Sequence, residues 1–272
     1  MATKKIKIRK NLKLNVFDSS FERQYRTRKT IIFVHGGGGS LANWKYQLPY
    51  FSQKYRTIAY DWRGCQASDR APSYTFDDHY QDFLALLKLL KVPSDFVLVG
   101  HSYGCLIGQR YASEHQVKKF VNSCFGLTIR KVGWLQLPDL PSFLRKPLYK
   151  RLVLSGNPIL AKRFLASPST PLQRIKELLE ENKIPSLEFF LDLKTFREGE
   201  RAVSEWISGY QGKMLVVGGD QDRIATLEGL ERLRQLVPRA RLEIVENTGH
   251  LTPYEAPDRF NKLIENFIEE GF

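Results

Sequence analysis

FVLVGHSYG, at residues 96–104, is the most informative stretch of the sequence. Four consecutive apolar residues predict a buried strand, and the chain then turns through GHSYG (100–104) into a helical segment that runs to about Ser113. A serine in so sharp a strand-to-helix turn needs a strained main chain, and glycines two positions before and after it leave room for that. The turn therefore predicts that the hydroxyl of Ser102 stands above the carboxyl ends of the strands, where α/β sheets place ligands.

Apolar strand segments and amphipathic helical segments alternate on both sides of this turn. The alternation predicts an α/β fold with a mostly parallel, eight-stranded sheet flanked by helices, opened by strands at 3–9 and 12–18. Helices are expected over 76–91, where Thr75 is the predicted N-cap, and over 256–269. The other strand-like segments lie at 30–35, 56–61, 120–124, 214–217 and 242–245.

Residues 128–212 interrupt the alternation. They contain seven of the thirteen prolines and several short helical stretches, such as 171–182 and 186–195, but no buried-strand pattern. An insertion of this kind between two strands of one sheet predicts a helical cap. The core then consists of residues 1–127 and 213–272.

A second glycine-rich stretch, HGGGGS at 35–40, follows a predicted central strand. An acyl-transfer site needs N–H donors aimed at the developing oxyanion, each worth about 2.7–4 kcal/mol, and a glycine-rich loop lets the main chain approach that closely. We predict the N–H groups of Gly37 and Tyr103 as this oxyanion hole. Phosphate binding is the alternative, but the loop lacks G-x-G-x-x-G spacing and no Gly-Lys-Ser/Thr ending follows.

A serine hydroxyl is a weak nucleophile until a base takes its proton. Of the five histidines, His250 is the best candidate, because it follows the last predicted strand on a loop at the same sheet edge as Ser102. The acid behind this base should come from GGDQD (218–222), where Asp222 is favoured over Asp220. The resulting order Ser, Asp, His is the order expected for one α/β architecture and not for the other serine-protease folds.

The chain is strongly basic, with a formal net charge of +13 over 272 residues. Residues 1–30 contain ten Lys/Arg and two Asp/Glu, in a pattern that alternates charged and apolar residues. A solvated edge strand is the favoured interpretation. The alternative is that these basic residues associate weakly with an anionic membrane surface. The segment 142–154, which mixes basic and apolar residues, also suggests such an association. No nucleic-acid-binding module is evident.

Three cysteines, an odd number with no zinc spacing, indicate a reduced environment, and we expect a cytoplasmic protein. The N-terminal stretch lacks the apolar region of a signal peptide. The sequence contains no run of about 18 apolar residues, so it predicts no membrane span.

With these motifs, the sequence resembles the α/β-hydrolase superfamily, in its capped, serine esterase-like branch. The resemblance runs from about residue 29 to the end, and its motifs are HGGGGS (35–40), DWRGCQASD (61–69), GHSYG (100–104), GGDQD (218–222) and NTGH (247–250). It implies an oxyanion amide after His-Gly, which supports Gly37, and an acid three positions after a glycine, which supports Asp222.

Two features qualify the resemblance. Relatives usually have a second glycine in the segment after Asp61, where this chain has Gln66. Epoxide hydrolases and haloalkane dehalogenases use aspartate as the nucleophile, whereas this chain has Ser102.

We therefore expect a carboxylic ester hydrolase with no metal or organic cofactor, acting on a small-to-medium lipophilic ester, thioester or lactone. The same three groups would also suit a carbon–carbon bond hydrolase, a perhydrolase or an acyltransferase, and a non-catalytic ligand-binding protein on this fold is the alternative from another class. Aromatic residues of the predicted cap are expected to roof an apolar pocket. They include Trp134, Phe143, Tyr149, Phe164, Phe189 and Phe190.

Overall fold

The computed structural model describes residues 2–24, 29–127, 156–182 and 202–270. Its strands are β1 (Lys4–Arg9), β2 (Leu12–Asp18), β3 (Thr30–Val34), β4 (Arg56–Tyr60), β5 (Val97–His101), β6 (Lys119–Ser123), β7 (Lys213–Gly219) and β8 (Ala240–Val245). They form one eight-stranded sheet in the order β1-β2-β4-β3-β5-β6-β7-β8. The predicted α/β architecture is confirmed.

Strands β3 to β8 are parallel to one another, while β2 and β1 extend the sheet beyond β4 in antiparallel pairing. β5 lies between β3 and β6, with Gly100 opposite Val34 on one side and Asn122 on the other. Because the carboxyl ends of parallel strands share one edge, the loops that follow β3, β5 and β6 come together there.

Helices cover both faces of the sheet. The helices of the described residues are α1 (Gln47–Phe51), α2 (Phe76–Leu89), α3 (Tyr103–Glu114), α4 (Pro158–Leu165), α5 (Leu172–Glu181), α6 (Leu227–Leu236), α7 (Thr252–Glu255) and α8 (Pro257–Glu269), with a further helical segment at 202–208. The helices predicted at 76–91, 171–182 and 256–269 are present, and Thr75 caps α2 through a reciprocal pair of hydrogen bonds with Asp78.

Successive residues of β5 pack on opposite sides of the sheet. Leu98 joins a core cluster with Phe83 of α2, whereas Val99 joins a second cluster with Phe33 and with Phe260 of α8. Burial of each such side chain contributes roughly 1.5–3 kcal/mol, so β5 and the turn that follows it rest on a rigid base.

The charged part of α2 is more deeply buried than its sequence suggests. The apolar residues Phe83 and Leu86 are buried, but so are His79 and Asp82 on the same helix. Asp82 is tolerated there because it forms a two-pronged ion pair with Arg63, with both N–O distances at 2.6 Å.

Four of the ten basic N-terminal residues lie on β1, an edge strand on which exposed Lys and Arg side chains alternate with half-buried Ile6 and Ile8. This is the solvated edge strand that the sequence favours. None of the helices in the described part of the chain is long and apolar enough to cross a membrane.

Much of the predicted cap at 128–212 lies outside the described residues, because 128–155 and 183–201 are not among them. The predicted helix at 186–195 and the basic segment 142–154 fall in these two ranges. Of the six aromatic residues expected to roof a pocket, Phe164 on α4 lies in the described part.

Candidate active site

The turn at 100–104 has the strained main chain that its sequence predicts. Ser102 is the residue before α3 and has φ 50°, in the left-handed region that few non-glycine residues adopt. A Cβ at Gly104 would lie 2.2 Å from the carbonyl oxygen of Val34, and one at Gly100 would lie 2.8 Å from the Cα of Cys105. Only glycine therefore allows β5, α3 and β3 to approach closely enough to form this turn.

Three distant side chains meet above the sheet edge. The Oγ of Ser102 lies 2.9 Å from the Nε2 of His250. The Nδ1 of the same imidazole lies 2.9 Å from the Oδ2 of Asp222. The His250 side chain is 7% exposed and that of Asp222 is fully buried, so the pair is shielded from water while the half-buried Ser102 can still be reached.

The two aspartates after β7 have different partners. Asp222 bonds His250 through one carboxylate oxygen, and its other oxygen accepts the N–H groups of Ile224 at 2.7 Å and Ala225 at 3.0 Å. Asp220 instead accepts the N–H of Thr248 at 3.2 Å. The structure thus brings Asp222 and not Asp220 against the imidazole.

Gly219 explains why the two loops can meet. A Cβ at this position would lie 2.2 Å from the carbonyl oxygen of Thr248, in the loop that contains His250. A glycine three positions before Asp222 is therefore a steric requirement of bringing the acid to the base.

The two segments predicted to supply the oxyanion hole are adjacent. A Cβ at Gly37 would lie 3.7 Å from the Cβ of Tyr103, and one at Gly36 would lie 3.0 Å from the Cβ of Ser102. Gly37 is exposed, whereas Gly36 is buried. Tyr103 is the first residue of α3, at the end where the N–H groups of a helix point outward.

Three other histidines are buried in and around the site. Burial lowers the pKa of His35 to about 4 and that of both His79 and His101 to about 3, so all three are neutral near pH 7. His35 accepts the N–H of Trp62 at 3.3 Å.

His101 has a contact that sequence reasoning missed. Its Nε2 donates to the carbonyl oxygen of His250 at 2.7 Å and so links the residue before Ser102 to the base. The only signal in the sequence is its place directly before the serine, which does not indicate a partner 149 positions away.

Cys124 lies next to Asp222 and His250. Its main chain is also left-handed, with φ 53°, and burial followed by the charge of Asp222 raises the pKa of its thiol to about 12. Among the described residues, Cys124, Asp222 and His250 form the one group with ligand atoms close enough to hold a metal, within 4.8 Å of one another. Of this group, His250 and Asp222 already form a hydrogen bond with each other through Nδ1 and Oδ2.

The position where relatives usually have glycine is also explained. Gln66 has φ 43°, the conformation that glycine adopts at least cost, and Gly64 two residues earlier has φ 73°. The Nε2 of Gln66 donates to the carbonyl oxygen of Glu181 at the end of α5. Gln66 thus stands where relatives have a glycine that adopts this φ easily, and its side chain contacts the end of α5, which belongs to the predicted cap range.

Two curated relatives are similar over most of this chain. Coelenterazine h 2-monooxygenase of Renilla reniformis is 25% identical over 291 residues, covering 94% of this chain and 89% of the relative. Protein ABHD8 of Bos taurus is 30% identical over 251 residues, covering 88% of this chain. This chain spans only about half the length of the ABHD8 protein, 55%.

A solved structure and a family profile agree on the fold. The structure of a thermophilic esterase from Thermogutta terrifontis matches 98% of both chains with a TM-score of 0.82, at 18% sequence identity. The profile for the alpha/beta hydrolase fold matches residues 29–257, which is most of the chain. The protein is therefore a member of the α/β-hydrolase family.

Proposed function

We propose that the protein is a serine hydrolase that cleaves a carboxylic ester, thioester or lactone of a small-to-medium lipophilic substrate through an acyl-enzyme on Ser102. The observation that supports this most directly is the continuous hydrogen-bonded chain from Ser102 through His250 to Asp222, with distances of 2.9 Å and 2.9 Å. A base within hydrogen-bond reach of the hydroxyl, itself oriented by a carboxylate, is the arrangement that activates a serine.

The chemistry follows from these positions. His250 takes the hydroxyl proton as the Oγ of Ser102 attacks the substrate carbonyl, and the resulting imidazolium is stabilised by Asp222. The imidazolium then protonates the leaving alcohol, thiol or ring oxygen as the acyl-enzyme forms. In the second half, His250 takes a proton from water, the hydroxide attacks the acyl carbon, and Ser102 recovers its proton as the acid product leaves.

The oxyanion of both tetrahedral intermediates would be held by the N–H groups of Gly37 and Tyr103. The proximity of these two segments to Ser102 supports this assignment. Each donor of this kind is worth about 2.7–4 kcal/mol of transition-state stabilisation, so the pair is a large part of the expected rate enhancement. No step of this mechanism requires a metal or an organic cofactor.

Covalent labelling by a fluorophosphonate tests the nucleophile. We expect the parent protein to gain one label, on Ser102, and the Ser102→Ala variant to gain none. A matched control is Ser113→Ala, because Ser113 is exposed near the end of the same helix. Labelling of the Ser102→Ala variant at another residue, or none in the folded parent, would reject Ser102 as the nucleophile.

The substrate class needs a separate measurement. Turnover of p-nitrophenyl esters of increasing chain length, compared with a vinylogous diketone and with acyl transfer to an added alcohol, separates ester hydrolysis from its rivals. We expect hydrolysis of esters. Labelling of Ser102 together with turnover of the diketone alone would keep the nucleophile and overturn the ester assignment.

A further inference from the structure

The main chain on both sides of His250 is bound by one carboxylate. The Oε1 of Glu255 accepts the N–H of Gly249 at 2.9 Å and the N–H of Leu251 at 3.1 Å. These two residues directly precede and follow His250. The short helix α7 returns Glu255 to this point, because its own N–H bonds the carbonyl oxygen of Leu251 at 2.8 Å.

The other oxygen of the same carboxylate reaches a different part of the chain. Oε2 of Glu255 accepts the N–H of Ser167 at 2.7 Å and the hydroxyl of Thr170 at 2.5 Å. Both donors belong to the segment 166–170 that connects α4 to α5. We refer to 166–170 as the α4–α5 segment.

The α4–α5 segment is packed closely on the loop of the base. A Cβ at Gly249 would lie 2.7 Å from the carbonyl carbon of Ala166, so the two main chains touch. The hydroxyl of Ser167 also donates to the side chain of Gln221 at 2.7 Å, next to Asp222. The segment therefore contacts the loop of the acid as well as the loop of the base.

In the described part of the chain, the Glu255 carboxylate is compensated by four hydrogen-bond donors. Arg174 contacts the main-chain carbonyl oxygen of Glu255, at 3.0 Å. Burial raises the pKa of the Glu255 carboxyl above its usual value, while the four donors favour the ionised form. A half-buried carboxylate that accepts four hydrogen bonds is satisfied, and such a network makes the segments that it joins more rigid.

We propose that Glu255 is a positioning residue of the active site, which fixes the main chain around His250 and joins it to the α4–α5 segment. The proposal rests on the role of His250 as the base. Together with the bond from His101 to the carbonyl oxygen of His250, the Glu255 bonds hold the peptide groups on both sides of the imidazole. A displacement of a reacting group by about 1 Å can cost 10²-fold in rate, so such restraint matters for catalysis.

The first test is Glu255→Gln, which keeps the size and one acceptor oxygen but turns an N–H₂ group toward two of the four donors. We expect kcat for a p-nitrophenyl ester to fall about 10- to 100-fold with little change in KM. The rate of fluorophosphonate labelling of Ser102 should fall by a similar factor. The far-downfield proton resonance of the His250–Asp222 hydrogen bond should broaden or move.

The control is Glu265→Gln, on the neighbouring helix α8. Glu265 accepts hydrogen bonds from Tyr50 and Lys262, which lie outside the site. We expect this variant to keep the parent values of kcat, labelling rate and resonance position.

A second pair of variants tests the connection to the α4–α5 segment. Thr170→Val removes one donor to Glu255 without touching His250, and we expect kcat to fall severalfold and the same resonance to move. Thr57→Val is the matched control, because Thr57 is also a buried threonine and its hydroxyl donates to the carbonyl oxygen of Tyr55, outside the site. This pair also serves if Glu255→Gln does not fold.

The outcomes separate this proposal from the proposed function. If Glu255→Gln or Thr170→Val lowers the melting temperature but leaves the labelling rate and the resonance of the folded protein unchanged, Glu255 is only structural and the positioning role is wrong. If the parent itself is never labelled on Ser102 while the resonance still responds to Glu255→Gln, the hydrolase function fails and the restraint that Glu255 places on the loop around His250 stands.

Discussion

The turn at 100–104 is fixed by its own main chain, whereas the loop at 247–255 is fixed by side chains from other segments. Ser102 is held by a left-handed φ of 50° and by glycines that fit against β3 and α3. His250 is held by Asp222, by His101 and by the carboxylate of Glu255. The position of Ser102 thus depends on steric fit, and that of His250 depends on a hydrogen-bond network.

This difference sets how the two regions should fail. A clash in the packed turn at 100–104 cannot be relieved by a small shift, because the opposing atoms are main-chain atoms of a central strand. A hydrogen-bond network can lose one member and keep its fold while the imidazole moves. Variants of the first region should therefore lose stability, and variants of the second should lose rate.

The largest effect is expected from alanine at Gly104. Its Cβ would lie 2.2 Å from the carbonyl oxygen of Val34, so β3 and α3 would have to separate. We expect a loss of about 3 kcal/mol or more in the free energy of unfolding and complete loss of activity. Chemical denaturation and fluorophosphonate labelling measure the two effects.

Gly249→Ala is the matched variant in the second region. Its Cβ would meet the main chain of Ala166 at 2.7 Å, so the clash pushes on the α4–α5 segment and leaves the sheet untouched. A smaller loss of stability with a clear loss of kcat is the expected result. Equal losses of stability in the two variants would contradict the distinction between the regions.

A large effect on rate alone is expected from Asp222→Asn. The amide keeps the size of the carboxylate but favours the wrong tautomer of His250 and cannot stabilise the imidazolium, which in a comparable triad costs about 10⁴-fold in kcat. Steady-state hydrolysis of an ester gives the value, and circular dichroism checks that the fold is retained.

Asp220→Asn separates the two neighbouring carboxylates. Asp220 accepts the N–H of Thr248, a role that an amide oxygen can also fill. We expect kcat close to the parent value. A collapse of activity in this variant, with Asp222→Asn active, would reverse the assignment of the acid.

The smallest effect concerns His101, which joins the two regions. The unfolded chain protonates histidine with a pKa near 6.5, whereas burial lowers the pKa of folded His35 to about 4 and of His79 and His101 to about 3. Below pH 6.5 the unfolded state therefore binds more protons, so stability is fully present above this pH and falls on acidification. Each histidine contributes up to about 1.4 kcal/mol per pH unit.

His101→Gln keeps a donor for the carbonyl oxygen of His250 but cannot titrate. Between pH 6 and pH 5, its free energy of unfolding should fall less steeply than that of the parent. The difference in slope should be at most that of one proton, about 1.4 kcal/mol per pH unit. Chemical denaturation at several pH values gives both slopes. Identical slopes would show that His101 does not contribute to the acid instability.

The sequence predicts the first region better than the second for a physical reason. The turn at 100–104 is local, so five residues and the preceding strand contain its requirements for space and backbone freedom. Asp222 and His250 could be chosen because each follows a buried strand, which fixes the sheet edge to which it belongs. Glu255 could not, since its partners Ser167 and Thr170 lie more than 80 positions away.

The same reasoning applies to the fold. Strands β3 and β5 are continuous apolar runs, and their predicted positions agree closely with those observed. The burial of His79 and Asp82 on α2 was not evident, because it depends on Arg63 from another loop. Helix α6, whose sequence LEGLERLRQL is rich in charge, was not predicted at all.

All three cysteines of the chain are buried and free, and burial raises the pKa of each thiol. Thiols that stay protonated and out of reach react slowly with maleimides. A single cysteine introduced on the surface, for example at Ser169 in the α4–α5 segment, would then be the preferred point of attachment for a fluorophore or spin label. Labelling of the native cysteines should therefore be slow, which suits the chain to distance measurements across the site with an introduced label.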